Sequence, residues 1–189
     1  MVAVPRPRFS QPVIFWHAGA TVAIARYAFR DERMDLRFLV LGALLPDLID
    51  TPLGLALYPR LQSVRLVGHT LLLADAVMVA VVLGTRRGRP RKRWMPLAIG
   101  MLLHLFLDAM WQDPETLWWP FLGAGFSSAG AATALDYVRA VLTDWRTWAL
   151  EIVGLAYLVV LARRARLGEV AARRRLLETG TIDVPIGST

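Results

Sequence analysis

Long apolar stretches interrupted by single ionisable side chains constrain this chain more than any other feature. The stretch from Leu66 to Gly84 is close to the 20 or so residues that a helix needs to cross a bilayer. Its only ionisable residues are His69 and Asp75. An ordinary soluble domain is about 45 to 50% apolar with roughly a quarter of its residues charged. This chain is 56% hydrophobic and 20% charged, so a small integral membrane protein is the first expectation.

Five apolar segments of this kind follow one another along the chain, and their length and composition predict helices. We therefore expect an all-α fold, a helical membrane bundle of about five apolar segments with a buried His/Asp site. The first two segments contain breaks and could be re-entrant. Residues 1–165 would form one membrane-embedded domain, and 166–189 a basic, mobile cytoplasmic tail. The segments are about Pro12 to Ala25, Phe38 to Leu57, Leu66 to Gly84, Trp94 to Trp111 and Trp148 to Ala162.

Arginine-rich connections predict how the bundle is oriented. Basic runs occupy Arg86 to Arg93, Arg163 to Arg166 and Arg173 to Arg175, and the positive-inside rule places such runs in the cytoplasm. The connection between segments one and two is cytoplasmic on the same count. The N-terminus, with Arg6 and Arg8, then falls outside, against the rule, and we see no signal peptide there.

Several common chemistries are excluded by composition and motif. The chain has no cysteine, so thiol catalysis, disulfides and cysteine metal sites are absent. The glycines from Gly123 to Gly130 are not followed by the lysine of a phosphate-binding loop, and no serine-hydrolase elbow is present. Catalysis or binding must therefore rest on the three histidines and on the carboxylates.

Ionisable residues within apolar segments are costly and point to function. The arginine-derived topology places six of them at one depth, toward the outer ends of four segments, which is how helical bundles build metal sites. Imidazole and carboxylate together suit zinc, manganese or iron, in one closed or two open sites. A hydrogen-bonded packing role remains the alternative for any single position. The six residues are His17, Asp47, Asp50, His69, His104 and Asp108.

Local spacing refines this set. His104 and Asp108 stand at i and i+4 and share a helix face, with Asp108 the natural bridge between two metals. Asp75 lies deeper and on the opposite side of its segment from His69, so a packing role is favoured. Asp50 could equally serve a helix end or a turn. Glu151 stands near the start of segment five and could favour the N-terminus of that helix or carry a proton.

These residues also carry a resemblance to a known family. The order apolar-His, Gly42 to Asp50 (GALLPDLID), Gly68-His69-Thr70, His104-x-x-x-Asp108 and Leu117 to Phe121 (LWWPF) resembles the YdjM family of inner-membrane metal-dependent hydrolases, also described as LexA-binding. More distantly it is similar to the zinc-dependent phospholipase C and single-strand nuclease group. The resemblance implies one site of Asp47, His69, His104 and Asp108, and a second of His17 with Asp108.

The chain departs from these patterns in two places. It lacks the further downstream histidines of the soluble zinc enzymes, so it does not support a three-metal cluster. Many relatives have a histidine where this chain has Thr51. The substrate therefore stays open.

The leading functional prediction is a multi-pass enzyme of the bacterial inner membrane, with its site toward the outer face and its C-terminus in the cytoplasm. A divalent metal, zinc before manganese or iron, would activate water against a phosphoester or lipid-like substrate. Asp50 or Glu151 would be the catalytic base, and Arg65 would bind an anionic head group.

Two other functions are also consistent with the sequence. The first is a non-enzymatic membrane protein whose His/Asp site is structural and whose basic segments bind a cytoplasmic protein partner or anionic membrane lipid. The second takes the arginines from Arg86 to Arg93 as a minor-groove nucleic-acid binder. Since a basic loop between apolar segments is expected from topology alone, we expect no nucleic-acid partner.

Overall fold

The computed structural model describes residues 14–185, and within that range every regular element is a helix and no strand is present. This confirms the all-α prediction. The absence of a signal peptide and the placement of Arg6 and Arg8 concern residues outside the described range. The helices are α1 (Phe15–Tyr27), α2 (Leu36–Ala56), α3 (Tyr58–Leu61), α4 (Leu71–Gly84), α5 (Arg89–Leu107), α6 (Pro114–Leu117), α7 (Ala134–Thr143), α8 (Trp145–Arg164) and α9 (Val170–Thr179).

Helices α2 and α5 cross with their backbones in contact, and this crossing is the centre of the bundle. A Cβ atom added at Gly42 of α2 would lie 2.0 Å from the carbonyl oxygen of Leu97. One added at Gly100 of α5 would lie 2.3 Å from the carbonyl oxygen of Leu39. Only glycine permits such an approach, which membrane helices commonly use. The crossing brings the second half of α2 beside the end of α5.

Helix α1 is held against α8 in the same way. A Cβ atom at Gly154 of α8 would lie 2.1 Å from the carbonyl oxygen of Phe15. A Cβ atom at Gly19 of α1 would lie 2.6 Å from the carbonyl oxygen of Gly154. Since both contacts fall near the start of α1, they fix the first turn of that helix, which carries His17.

The prediction of about five membrane-crossing segments is wrong in number. Only α2 and α8, with 21 and 20 residues, are long and apolar enough among the described residues. Helix α4 has 14 residues, about 21 Å at 1.5 Å per residue, and a bilayer core is about 30 Å thick. Helix α1 is shorter still at 13 residues. The first turns of α5 carry Arg91, Lys92 and Arg93, which shorten its apolar part.

The outer surface of the bundle is nonetheless apolar over several helices. Large aliphatic side chains stand exposed on α2, on α4 and on α8, and a soluble protein would rarely leave so many adjoining ones in water. Despite its shorter length, α4 therefore exposes large aliphatic side chains as the two candidate spans do. Examples are Leu48 and Leu53 on α2, Val79 and Leu83 on α4, and Ile152 and Val160 on α8.

The segment after α8 folds back onto the basic end of the bundle. The Arg26 guanidinium donates to the carbonyl of Val184 at 2.6 Å, and the backbone N–H of Leu36 donates to the carbonyl of Gly180 at 2.8 Å. Ile182 packs against a core cluster that includes Val22. Part of the predicted tail is thus a helix, α9, followed by a docked strap. The domain division at residue 165 and the mobility of the tail stay predictions.

Candidate metal centre

One end of the bundle gathers buried polar side chains from four parts of the chain. His17 comes from the first turn of α1, Asp47 and Asp50 from the second half of α2, and His104 from the last turn of α5. His69 ends a short 3₁₀ turn, Val67–His69, just before α4, and Asp108 caps α5. All of these residues except Asp47 are buried. The structure therefore brings together every histidine and every aspartate that we predicted as a metal ligand.

Asp50 organises the turn that carries His69. Its carboxylate accepts hydrogen bonds from the backbone N–H groups of Leu66 at 2.7 Å, Gly68 at 2.9 Å and His69 at 3.0 Å. The His69 ring places Nδ1 2.8 Å from Asp50 Oδ2, and a carboxylate there calls for the proton on Nδ1. The Nε2 atom of His69 is therefore turned toward the cluster. This is how carboxylates behind histidines orient metal ligands.

His104 is oriented by a backbone carbonyl in α2. Its Nδ1 lies 2.7 Å from the carbonyl oxygen of Ala43, so this nitrogen donates and Nε2 is the acceptor. Pro46 lies inside α2 and has no N–H, so the carbonyl of Gly42, four residues earlier, receives no helical hydrogen bond from it. Because α2 continues through Pro46 and Pro52 as one helix, the second segment is not broken as its prolines had suggested.

Four ligand atoms then face one another. His69 Nε2 lies 3.2 Å from His104 Nε2, 3.4 Å from Asp47 Oδ1 and 3.5 Å from Asp108 Oδ2. His104 Nε2 lies 3.8 Å from Asp108 Oδ2 and 3.9 Å from Asp47 Oδ1. Ligands about 2.0 to 2.1 Å from a tetrahedral zinc ion would stand roughly 3.3 Å apart. Asp47, His69 and His104 have the ligand spacing of a first-row divalent cation, and Asp108 Oδ2 lies beside both ring nitrogens. The four residues are hereafter called the four-ligand cluster.

His17 meets the same cluster from the other side of Asp108. Its Nε2 lies 2.8 Å from Asp108 Oδ1, while Asp108 Oδ2 faces the four-ligand cluster. The His17 ring stacks on His104 with centroids 4.2 Å apart. His17 Nδ1 is buried and has no hydrogen-bond partner among the described residues. His17, His104 and Asp108 therefore form a second group with ligand spacing, and Asp108 has the geometry of a bridge.

Arg65 supplies positive charge at the edge of the cluster. Its guanidinium lies 3.4 Å from Asp108 Oδ2 and 3.8 Å from Asp113 Oδ2. Sequence reasoning missed Asp113. The Asp113-Pro114 pair is a helix-start pattern, and Asp113 does cap α6, but nothing in that pattern indicates the contact with Arg65.

The cluster concentrates negative charge in a buried place. Burial by itself lowers the pKa of His69, but hydrogen bonds with three surrounding carboxylates, first among them Asp108, raise that pKa well above its ordinary value. The centre of the cluster therefore favours a positive charge. A proton on His69 or a metal cation can supply it.

Glu151 and Asp75 lie apart from the cluster. The Glu151 carboxylate accepts from the backbone N–H groups of Ile14, Phe15 and Trp16 at 3.0 to 3.1 Å, so it caps the start of α1. The helix start that Glu151 caps is that of α1; its own helix α8 already begins at Trp145, so the predicted role at the N-terminus of segment five is wrong. The role of Glu151 as a base stays a prediction. Asp75 is exposed on α4, so the structure does not place it in the cluster.

An apolar cavity of about 410 Å³ adjoins the cluster. Asp47 and His69 line it together with Arg65. Most of the remaining wall is aliphatic and comes from α2 and α7. The Asp47 side chain is 22% exposed, so the cluster is open on this side.

Fold and site together define an all-helical, membrane-associated protein with a buried histidine and aspartate cluster at one end of its bundle. The chain belongs to the YdjM inner membrane protein family, whose sequence model matches residues 14–169. That range includes the whole cluster and ends before α9, and it confirms the predicted family. Neither the curated proteins nor the solved structures give a significant match to this chain. The distant likeness to zinc phospholipases and nucleases stays a prediction.

Proposed function

We propose that this protein is a membrane-embedded, metal-dependent hydrolase that cleaves a lipid-like phosphoester. The observation that carries the proposal is a pair of three-residue groups with ligand spacing, Asp47/His69/His104 and His17/His104/Asp108. Asp47 and His69 of the first group also line an apolar cavity. A structural metal site is closed by protein ligands, whereas a catalytic one keeps an open position. The partial exposure of Asp47 therefore favours catalysis over a purely structural site.

The residues present fit a divalent cation by donor chemistry. Asp47, His69 and His104, with Asp108 beside them, would hold one ion, zinc before manganese or iron, and His17, His104 and Asp108 would hold a second. A bound cation of this kind lowers the pKa of water toward neutrality and polarises a phosphoryl oxygen.

The protein's own groups would position the substrate and manage its protons. Arg65 would orient the anionic phosphoryl group from the cavity wall. In the hydrolysis, the oxygen of water bonds to phosphorus, the ester P–O bond breaks and a proton passes to the leaving alcohol. Asp47, the partly exposed ligand beside the cavity, stands on the side where water and substrate would enter, and its second carboxylate oxygen would accept a hydrogen bond from that water. Asp50, which we predicted as the base, would instead hold the His69 ring in place, since its oxygens already accept four hydrogen bonds.

Charge distribution supports an orientation with the cluster outside and the C-terminus in the cytoplasm. Basic runs stand at the end of the bundle opposite the cluster, where α4 ends, α5 begins and α8 ends. The cluster end instead carries Asp113, Glu115, Asp136 and Asp144. Because the positive-inside rule places basic connections in the cytoplasm, we propose that the chain crosses the membrane more than once, in this orientation.

The proposal is tested by hydrolysis of a panel of alkyl phosphates and phosphodiesters with purified protein loaded in turn with zinc, manganese or iron. We expect turnover that is lost on chelation and lost in His104→Ala, while Asp75→Asn retains it. Asp75 is an exposed aspartate on α4 and serves as the matched control. Turnover that persists in His104→Ala would come from a contaminant and would contradict the proposal. So would metal-loaded wild-type protein that cleaves nothing in the panel.

A further inference from the structure

The cavity beside the cluster is divided into a small charged end and a long apolar remainder. The charged end consists of Asp47, Arg65 and His69. The remainder includes Leu44 and Leu55 from α2. A ligand that fills such a space would present hydrocarbon to the aliphatic wall and an anionic group to the Arg65 guanidinium and to the cation that the cluster would hold. Binding sites for small molecules are of this kind, mostly apolar with a few polar groups that fix orientation.

Helix α7 forms the wall opposite α2. Val138, Val141 and the half-exposed Leu142 from this helix line the cavity. The helix is held down where Tyr137 packs with Tyr58, whose hydroxyl donates to the carbonyl of Ala131 at 3.0 Å. The distance between α2 and α7 therefore limits what the apolar part can hold.

The apolar lining continues out to the surface of the bundle. Leu48 on α2 and Leu142 on α7 both line the cavity, and they are 60% and 52% exposed. Leu48 lies on α2, one of the two candidate spans, so in the proposed membrane arrangement this mouth of the cavity would open toward lipid. Hydrocarbon can therefore pass from the bilayer into the cavity without crossing water.

From this division we infer that the cavity binds one hydrocarbon chain of a single-chain anionic amphiphile taken from the bilayer, with Val138 setting the fit of that chain. This inference rests on the proposed function, whose substrate it narrows to a phosphoester of one alkyl or acyl chain. The volume of about 410 Å³ lies toward the lower end of the 300 to 1,000 Å³ usual for small-molecule sites. It suits one chain better than the two of a bilayer lipid.

The test measures binding of a fluorescent dodecyl phosphate to full-length protein in a sterol-based detergent. Unlabelled dodecyl phosphate, a shorter alkyl phosphate, inorganic phosphate and a two-chain phosphatidic acid serve as competitors. We expect the two alkyl phosphates to compete, the longer one at least tenfold better, while inorganic phosphate and phosphatidic acid compete weakly. Equal competition by inorganic phosphate would show that only the anionic group is bound and would overturn the inference.

Variants on α7 test where the hydrocarbon chain of the ligand lies in the cavity. Val138→Trp fills the cavity and should weaken dodecyl phosphate binding at least tenfold. Leu135→Trp adds the same ring to the same helix at a position that is 56% exposed and does not line the cavity, so it should bind as wild type. If Val138→Trp does not fold, Val138→Ala is the second variant to measure. Its wider cavity should shift the binding preference toward an alkyl phosphate with a bulkier or longer hydrocarbon chain. Unchanged binding and chain preference in a folded Val138 variant would overturn the inference.

Metal content measured on the same samples separates this inference from the proposed function. If the protein binds dodecyl phosphate but takes up no metal, the inference about the cavity is supported and the proposed metal-dependent hydrolase is contradicted. If the protein takes up metal and turns over substrate but its binding does not depend on hydrocarbon chain length, the hydrolase is supported and the inference about the cavity is overturned.

Discussion

His69 Nε2 and His104 Nε2 lie 3.2 Å apart, and each ring is fixed from behind by a different acceptor. Asp50 holds Nδ1 of His69, and the carbonyl of Ala43 holds Nδ1 of His104. Two nitrogens that face each other in this way, with carboxylate oxygens beside them, need a positive charge between them. A metal cation or a proton on His69 can carry that charge.

Asp50→Asn should weaken metal binding without removing a ligand of the four-ligand cluster. The asparagine side chain has one acceptor oxygen where the carboxylate has two, so at least one buried N–H of the His69 turn loses its partner. We expect a metal affinity lower by about 10- to 100-fold and a loss of about 1 to 3 kcal/mol in the free energy of unfolding. Metal titration and thermal unfolding measure the two effects, with Asp75→Asn as the control. An affinity equal to wild type would show that Asp50 does not position His69.

Gly42→Ala should destabilise the bundle and displace His104. The new methyl group would lie 2.0 Å from the carbonyl oxygen of Leu97, and overpacking of this kind costs about 1 to 3 kcal/mol. The matched control is Gly84→Ala at the end of α4, where nothing lies within 4 Å of the added atom. Thermal unfolding should show a lower midpoint for Gly42→Ala and an equal or higher one for Gly84→Ala. The same midpoint in both variants would mean that the crossing of α2 and α5 is looser than the structure has it.

Glu151→Ala should act through α1. Removing the carboxylate leaves three N–H groups at the start of this helix without their acceptor, and loss of a cap costs about 0.5 to 2 kcal/mol. The control is Glu169→Ala, since Glu169 precedes α9 but caps it with no side-chain hydrogen bond. We expect a lower unfolding midpoint for Glu151→Ala alone, with metal still bound by the four-ligand cluster. Complete loss of metal in a folded Glu151→Ala protein would contradict a purely capping role.

The sequence predicts the members of the site better than their arrangement. The spacing of His104 and Asp108 indicates a shared helix face, and both reach the cluster. Depth alone, however, cannot distinguish Asp47, which faces the cluster, from Asp50, which stands behind His69. The Glu151 cap joins residues more than 130 positions apart, and the Arg65 contact with Asp113 depends on how α6 packs, so local pattern reveals neither.

The number of spans could not be obtained from apolar content alone. Segments such as Leu66 to Gly84 look long enough in sequence, but the helix begins only at Leu71 because the residues before it form the turn that holds His69. The functional turn thus shortens the apolar helix. The sequence likewise does not predict the cavity wall formed by α7, because Val138 and Val141 line the cavity only when that helix packs against Tyr58.

The central claim is that the four-ligand cluster binds a metal ion, and elemental analysis of detergent-purified, tag-free protein tests it most directly. Wild type should contain stoichiometric zinc, manganese or iron, and so should Asp75→Asn. His104→Ala and Asp108→Ala should both lose the metal, because His104 belongs to both ligand groups and Asp108 connects them. Well-folded wild-type protein that holds no metal, even after reconstitution with all three, would contradict the account.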